Sequence, residues 1–262
     1  SNTNIYGDYY DCVRVIWVEE LNRFFLAVKD GRNGTSGGGI WSSQDGQDWT
    51  KATHYKIDGT LGTYYQGSPT TIAYSPYHSL CVAISDGNGI DRIWTSSNNG
   101  LSFHEVAQEF LPGFSTSEGN YHFHSIIWNS VLNIFMIGLS GDSLSSSHDT
   151  FWYSSDSEGL VWQPFTQVFD DSGTVDTSIQ NLTRLTYSPS LDVTVAVGRG
   201  IYYTSYGGGP ANVANLQWYQ TSTVNGQSGT SVDLLDVEWI EALGLFVATG
   251  NTNQAVMYSS NG

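Results

Sequence analysis

Three observations predict an all-β chain folded as a five-bladed β-propeller of four-stranded antiparallel blades. An apolar stretch recurs five times, a Ser- and Gly-rich turn follows each copy, and the composition is rich in Gly and aromatics but poor in charge. Aromatics make up 14% of the 262 residues and charged residues only 13%, with 29 glycines. Short strands and tight turns suit that balance better than surface helices, which need charged faces.

The first strand of each repeat carries an aromatic anchor. The stretches are Val15-Ile-Trp-Val-Glu-Glu-Leu-Asn-Arg-Phe24, Ile72-Ala-Tyr-Ser-Pro-Tyr-His-Ser-Leu-Cys81, Ile126-Ile-Trp-Asn-Ser-Val-Leu-Asn-Ile-Phe135, Leu185-Thr-Tyr-Ser-Pro-Ser-Leu-Asp-Val-Thr194 and Val237-Glu-Trp-Ile-Glu-Ala-Leu-Gly-Leu-Phe246. Their anchors Trp17, Tyr74, Trp128, Tyr187 and Trp239 lie 57, 54, 59 and 52 residues apart. Each stretch reads as strand, short polar turn, apolar second strand. A Gly-rich loop then leads to a third strand, at Ile40-Trp-Ser-Ser43, Trp94-Thr-Ser-Ser97, Trp152-Tyr-Ser-Ser155, Tyr202-Tyr-Thr-Ser205 and Met257-Tyr-Ser-Ser260. After a turn the fourth strand opens on Trp49, Phe103, Trp162 or Trp218. The blades are expected at about 13–54, 70–107, 124–166, 183–220 and 235–262. The fifth has no fourth strand after its turn, and an open edge exposes unpaired backbone groups, so the expectation is that Asn4 to Tyr10 supplies that strand and closes the last blade, the alternative being a piece of a longer array.

All nine tryptophans fall in these repeat columns, which points to packing between sheets rather than to a binding platform. Cys81 stands where other blades carry Phe24, Phe135 and Phe246, which marks a buried core thiol. In the turns, Ser and Asp or Asn side chains can bond turn amides while Gly supplies the backbone freedom. These blocks resemble the Asp-box, or bacterial neuraminidase repeat, of pattern Ser-x-Asp-x-Gly-x-Thr-Trp. Ser42, Gly46 and Trp49 fit it, with Gln44 at the acidic position and the acid at Asp45. Ser96, Asn98, Gly100, Ser102 and Phe103 fit with conservative changes, and a third block runs from Ser155 to Trp162 with Ser157 at the acidic position. The fourth block is interrupted by Gly207 to Asn215. The resemblance covers nearly the whole chain and implies the propellers of sialidases, other secreted sugar-active proteins and virion proteins. In that family the box is a structural turn on the face away from the active site.

Function is bounded mainly by charge. Nine Lys and Arg against 25 Asp and Glu give a net charge of −16, which repels phosphate backbones and anionic membranes. With no run of 18 apolar residues, no membrane-spanning helix is expected. Neutral polar ligands such as sugars, or cations, suit such a surface. The resemblance implies that a sialidase would grip its substrate carboxylate with three arginines, with a Tyr–Glu nucleophile pair and an Asp acid/base. The six arginines (Arg14, Arg23, Arg32, Arg92, Arg184, Arg199) include none in a Phe-Arg-Ile-Pro-like motif. The expectation is therefore a non-catalytic recognition module for a glycan or cell-surface receptor, extracellular or on a virion surface, with other virion proteins as further partners. The rival readings are a glycoside hydrolase and a structural propeller that docks proteins.

Two sets of residues are candidates for ligand contact. Arg14 and Arg184 share a column three residues before the anchor with Thr71, Ser125 and Asp236, where polar groups can converge. Tyr64, Tyr65, Phe114, Tyr121 and Phe169 fall in long connections off the repeat columns, opposite the Ser/Gly turns. No cofactor is expected. Asp86, Asn88 and Asp91, and Asp170 and Asp176, are oxygen-rich segments of the kind Ca²⁺ favours, without full EF-hand spacing. His122 and His124 alternate on one strand face with no third zinc ligand in register.

Overall fold

Every blade starts with a hairpin whose turn holds one residue in the left-handed conformation, five positions after the aromatic anchor. Asn22, Ser79, Asn133, Asp192 and Gly244 have φ of 46°, 51°, 55°, 56° and 61°. This conformation reverses the chain tightly and sets the second strand against the first. The structure is a computed structural model that describes residues 10–30, 38–62, 68–86, 92–106, 121–141, 151–165, 168–169, 182–205, 213, 216–221, 223–224, 227–228, 233–251 and 256–261.

The chain is a five-bladed β-propeller, as its repeats predict. Blade 1 holds β1 (Tyr10–Val18), β2 (Arg23–Asp30), β3 (Gly39–Ser43) and β4 (Thr50–Lys51) in that order. A short strand β5 (Thr53–Tyr55) follows. Blade 2 holds β6 (Ser68–Ser75), β7 (Leu80–Asp86), β8 (Arg92–Ser96) and β9 (Ser102–Glu105), and blade 3 holds β10 (Tyr121–Asn129), β11 (Ile134–Gly141), β12 (Phe151–Ser154) and β13 (Gln163–Pro164). After β14 (Val168–Phe169), blade 4 holds β15 (Leu182–Ser188), β16 (Val193–Gly198), β17 (Gly200–Ser205) and β18 (Trp218–Gln220). The hairpin β19 (Thr223–Val224) and β20 (Gln227–Ser228) precedes blade 5, with β21 (Leu234–Ile240), β22 (Leu245–Gly250) and β23 (Val256–Ser259). The strand expected from Asn4 to Tyr10 lies outside the described residues, except that Tyr10 opens β1.

Besides the one that holds the β19–β20 hairpin, two connections that read as loops contain strands that join a blade. β5 pairs in parallel with β9, and β14 pairs in parallel with β18, so the outer edges of blades 2 and 4 each gain a fifth strand from the segment before them. An aromatic pair fastens each in register. Tyr55 stacks on His104 at 4.7 Å, and Phe169 lies against Tyr219 at 6.0 Å. Runs of three and two residues carry too little periodicity to register as strands, and parallel pairing has no turn signal.

The Ser/Gly turn of blade 2 has the register read from the sequence, with Ser96, Asn98, Gly100 and Ser102 in their expected places, whereas those of blades 1 and 3 start one residue away from it, at Ser43 rather than Ser42 and at Ser154 rather than Ser155. The serine that organises each turn is the last residue of the third strand. Ser43 Oγ bonds Asp45 and accepts the Gly46 amide, while Ser96 Oγ bonds Asn98 and accepts the Gly100 amide. Ser154 Oγ bonds Asp156, and Ser259 Oγ bonds Asn261. The acid or amide then caps the turn. Asp45 accepts from the Gln47 and Asp48 amides, Asn98 from Ser102, and Asp156 from Glu158, Leu160 and Val161. The amides of Asp48 and Gln47 hold the Asp45 carboxyl below the usual carboxylate range. Burial opposes ionisation of Asp156, yet its bonds from Ser154 and the turn amides still lower it. Ser42, one residue earlier, points to the opposite side of its strand and accepts from Arg23.

By their contacts the described blades fall into two compact units, Ser1–Ile126 with Ser154–Trp162, and Ile127–Tyr153 with Gln163–Gly262. In the first, the core gathers Val18, Phe25, Ile40, Ile72, Cys81, Ala83, Trp94 and Phe103. The turns reach back onto the preceding blade. A Cβ on Gly100 would come within 2.2 Å of Phe25 Cε1, and one on Gly159 would press on Leu80, Thr95 and Val82, which is why the third blade's turn belongs to this unit. In the second, Ile134, Met136, Phe151, Leu182, Leu185, Tyr202 and Trp218 form one cluster. Val193, Val195, Val197, Leu234, Val237 and Phe246 form another. Of the third-strand and fourth-strand tryptophans, Trp41, Trp94, Trp152, Trp162 and Trp218 are buried as expected, while Trp49 is only partly buried. The anchors are less so: Trp17 is 41% exposed, and Trp17, Trp128 and Trp239 each lie on the Phe of the second strand at 4.5–4.8 Å.

Candidate functional site

The polar column three residues before the anchors owes its aim to a β-bulge. Pairing of the first two strands slips between Cys12 and Arg14, Pro69 and Thr71, Leu182 and Arg184, and Leu234 and Asp236. The residue after each slip is re-aimed relative to the rest of its strand. Two of the extra residues are threonines with the same task. Thr70 Oγ lies 3.3 Å from Ile84 O in its own blade and 3.1 Å from Phe123 O in the next. Thr183 Oγ lies 3.1 Å from Val197 O and 2.8 Å from Leu234 O. One hydroxyl proton is thus shared between two strands of neighbouring blades.

Because the bulge recurs at the same position, equivalent residues of adjacent blades meet. On β15 and β21 those residues are Arg184 and Asp236. Arg184 Nε donates to Asp236 Oδ1 at 2.7 Å, and the same oxygen accepts the Val237 amide at 3.0 Å. The guanidinium is 14% exposed and the carboxylate 49%, so the pair is fixed from below and open on the acid's side. The strands beneath are tied together on either side of it, by Thr183 to Leu234 O and by the Trp239 amide to Thr186 Oγ at 3.1 Å. The result is a pre-aligned donor and acceptor whose charges cancel, on two strands bonded to each other on either side of the pair.

Of the other members of this column, Thr71 and Ser125 are buried and Arg14 is half-buried on β1. Phe169 lies on β14 rather than in a loop, in a row with Tyr219 and Tyr203, whose rings are 5.7 Å apart. Since Tyr55 on His104 repeats the arrangement in blade 2, Phe169 fastens its strand whatever else it does. Tyr121 opens β10, and Asp86 ends β7 opposite Ser68. Tyr64, Tyr65, Phe114, Asn88, Asp91, Asp170 and Asp176 lie outside the described residues. Among the described residues no group of three His, Cys, Asp or Glu is placed to hold a metal. The His122 and His124 rings lie 6.1 Å apart. Burial pushes the Cys81 thiol up to about 12.

The bridging threonines and the two added strands escaped the sequence reading. Thr70 and Thr183 both stand four residues before an anchor, and that shared spacing is the one trace they leave.

Neither a family model nor a curated protein matches the sequence. Solved structures do match the fold. The GH74 enzyme of Niastella koreensis aligns over 97% of this chain and 29% of that one, at 15% identity and a TM-score of 0.56. A chain of the nidogen/laminin complex aligns over 95% of this chain and 72% of that one, at 13% identity and a TM-score of 0.55. YCF48 from Cyanidioschyzon merolae aligns over 92% and 64%, at 12% identity and a TM-score of 0.52. The chain thus spans less than a third of the GH74 chain it matches, and the likeness is one of fold alone. Its neighbours include an enzyme and a propeller from a protein–protein complex.

Proposed function

We propose that this propeller is a non-catalytic recognition module of the Asp-box type, exposed outside the cell or on a virion, that binds a neutral glycan or a glycan-bearing receptor. The Arg184–Asp236 pair carries the reading. Vicinal hydroxyls of a sugar both donate and accept, so they match a carboxylate and a guanidinium held side by side. Because each charge of the pair cancels the other, it offers no net attraction for an anion, and a net charge of −16 disfavours anionic ligands further. A hydrolase would use a carboxylate free to exchange protons, with a second about 5 Å away for retention. Asp236 instead already accepts from both a guanidinium N–H and a backbone N–H, so it is engaged as a fixed acceptor. The Asp-box reading is supported by the Ser-to-Asp or Ser-to-Asn bond repeated in four turns.

The test is a glycan array probed with the wild-type protein, Arg184→Ala and Asp236→Asn. Binding to a subset of neutral glycans is expected, weakened about 10- to 100-fold by either substitution, the range for lost hydrogen bonds to charged groups. Circular dichroism confirms that each variant is folded. Hydrolysis of fluorogenic glycosides that Asp236→Asn abolishes would overturn the reading in favour of an enzyme. An empty array together with a tight protein partner would overturn it in favour of a docking propeller.

A further inference from the structure

The fifth strand of blade 2 carries a histidine in a place that suits only its neutral form. His54, in the middle of β5, is 4% exposed. Trp94 Nε1 lies 3.2 Å from His54 Nε2, with the two rings edge to face. An indole N–H can only donate, so Nε2 must accept and the ring proton sits on Nδ1. The segment after β5 folds back over the imidazole. Gly62 donates its amide to His54 O at 2.8 Å, and a Cβ on Gly62 would come within 2.2 Å of Nδ1. Arg92 from β8, Lys56 and Lys51 from its own segment, and His104 from β9 lie near enough to disfavour a positive charge on the ring. The carboxylate of Glu105 is engaged by Arg92. A proton on Nε2 would therefore set two N–H groups against each other, in a buried site surrounded by cations.

We propose that β5 is an acid-labile clasp: proton uptake by His54 releases residues 53–62 from blade 2 and uncovers the edge of β9. Apart from the His54–Trp94 bond, the strand is held by the Thr53 amide donating to Leu101 O at 3.0 Å, by three residues paired with β9 and by the Tyr55 stack on His104, a short set of contacts to release. The uncovered edge is a row of backbone donors and acceptors ready for another strand. The sign follows from burial, which together with the surrounding cations lowers His54 from 6.5 to about 4. A histidine so lowered contributes its full stabilisation above pH 6.5 and loses it as the pH falls towards 4.

Hydrogen exchange, with amide protection corrected for intrinsic rate, tests this between pH 7 and pH 4. Protection of the Thr53 and Gly62 amides is expected to fall about 100-fold over that range, as linkage gives for a histidine lowered from 6.5 to about 4. The β14–β18 seam, in which neither strand contains a histidine, serves as the internal reference and should hold. His54→Gln keeps an acceptor for Trp94 and cannot take up a proton, so it should abolish the selective loss, while His104→Gln should leave it in place. Equal loss at both seams, or an unchanged profile in His54→Gln, would overturn the proposal. Should His54→Gln fail to fold, the wild-type contrast between the two seams and the His104→Gln profile decide the matter.

Discussion

Asn22, Ser79, Asn133, Asp192 and Gly244 do one job with four residue types. All sit at positive φ, five residues after an anchor. Asn, Asp and Gly tolerate that conformation, whereas Ser lacks both the freedom of Gly and the special tolerance of Asx. Ser79→Gly should therefore raise stability by about 1 kcal/mol, read as a shift in urea midpoint at unchanged slope. The mixture of residue types hid this column in the sequence, where only the five-residue spacing records it. Cys81 was legible because it replaces Phe in an otherwise aromatic column. With its thiol pushed up to about 12 in a buried site, it should resist alkylation at pH 8 in the folded protein, while exposed Cys12 reacts. Mass spectrometry after iodoacetamide treatment, with and without denaturant, checks both sites.

At the scale of elements, the Ser/Gly turn joins blades as well as strands. Gly100 has φ of 76° and its Cβ position is already filled by Phe25 of the preceding blade. Gly100→Ala should cost about 1–3 kcal/mol through this overpacking, with a further penalty from the left-handed backbone, seen as a lower midpoint in thermal or urea unfolding. The sequence showed the register of the blade 2 turn at Ser96, but in blades 1 and 3 only where the turn lies, because Ser42-Ser43 and Ser154-Ser155 each offer two candidates. Strand alternation decides between them, since only the last strand residue faces the turn amides. The bulges and the fifth strands were hidden for a related reason: each involves one to three residues, below the length at which a period can be read.

Taken as a whole, the fold was legible because it is a sum of repeats, and five weak copies reinforce one another. The site was half legible. Arg184 and Asp236 stood in one column, but only the repeated bulge and the adjacency of β15 and β21 make them partners. Aromatics read as loop candidates give less, because Phe169 fastens a strand and Tyr64, Tyr65 and Phe114 lie outside the described residues. Whether the Arg184–Asp236 pair holds a sugar is decided by titration of the wild-type protein and Asp236→Asn with a neutral glycan selected on the array. Saturable binding by the wild type is expected, about 10-fold or more weaker in the variant, with the glycan recovered intact. Equal affinity in the two proteins, or a glycan recovered cleaved by the wild type alone, would contradict that role.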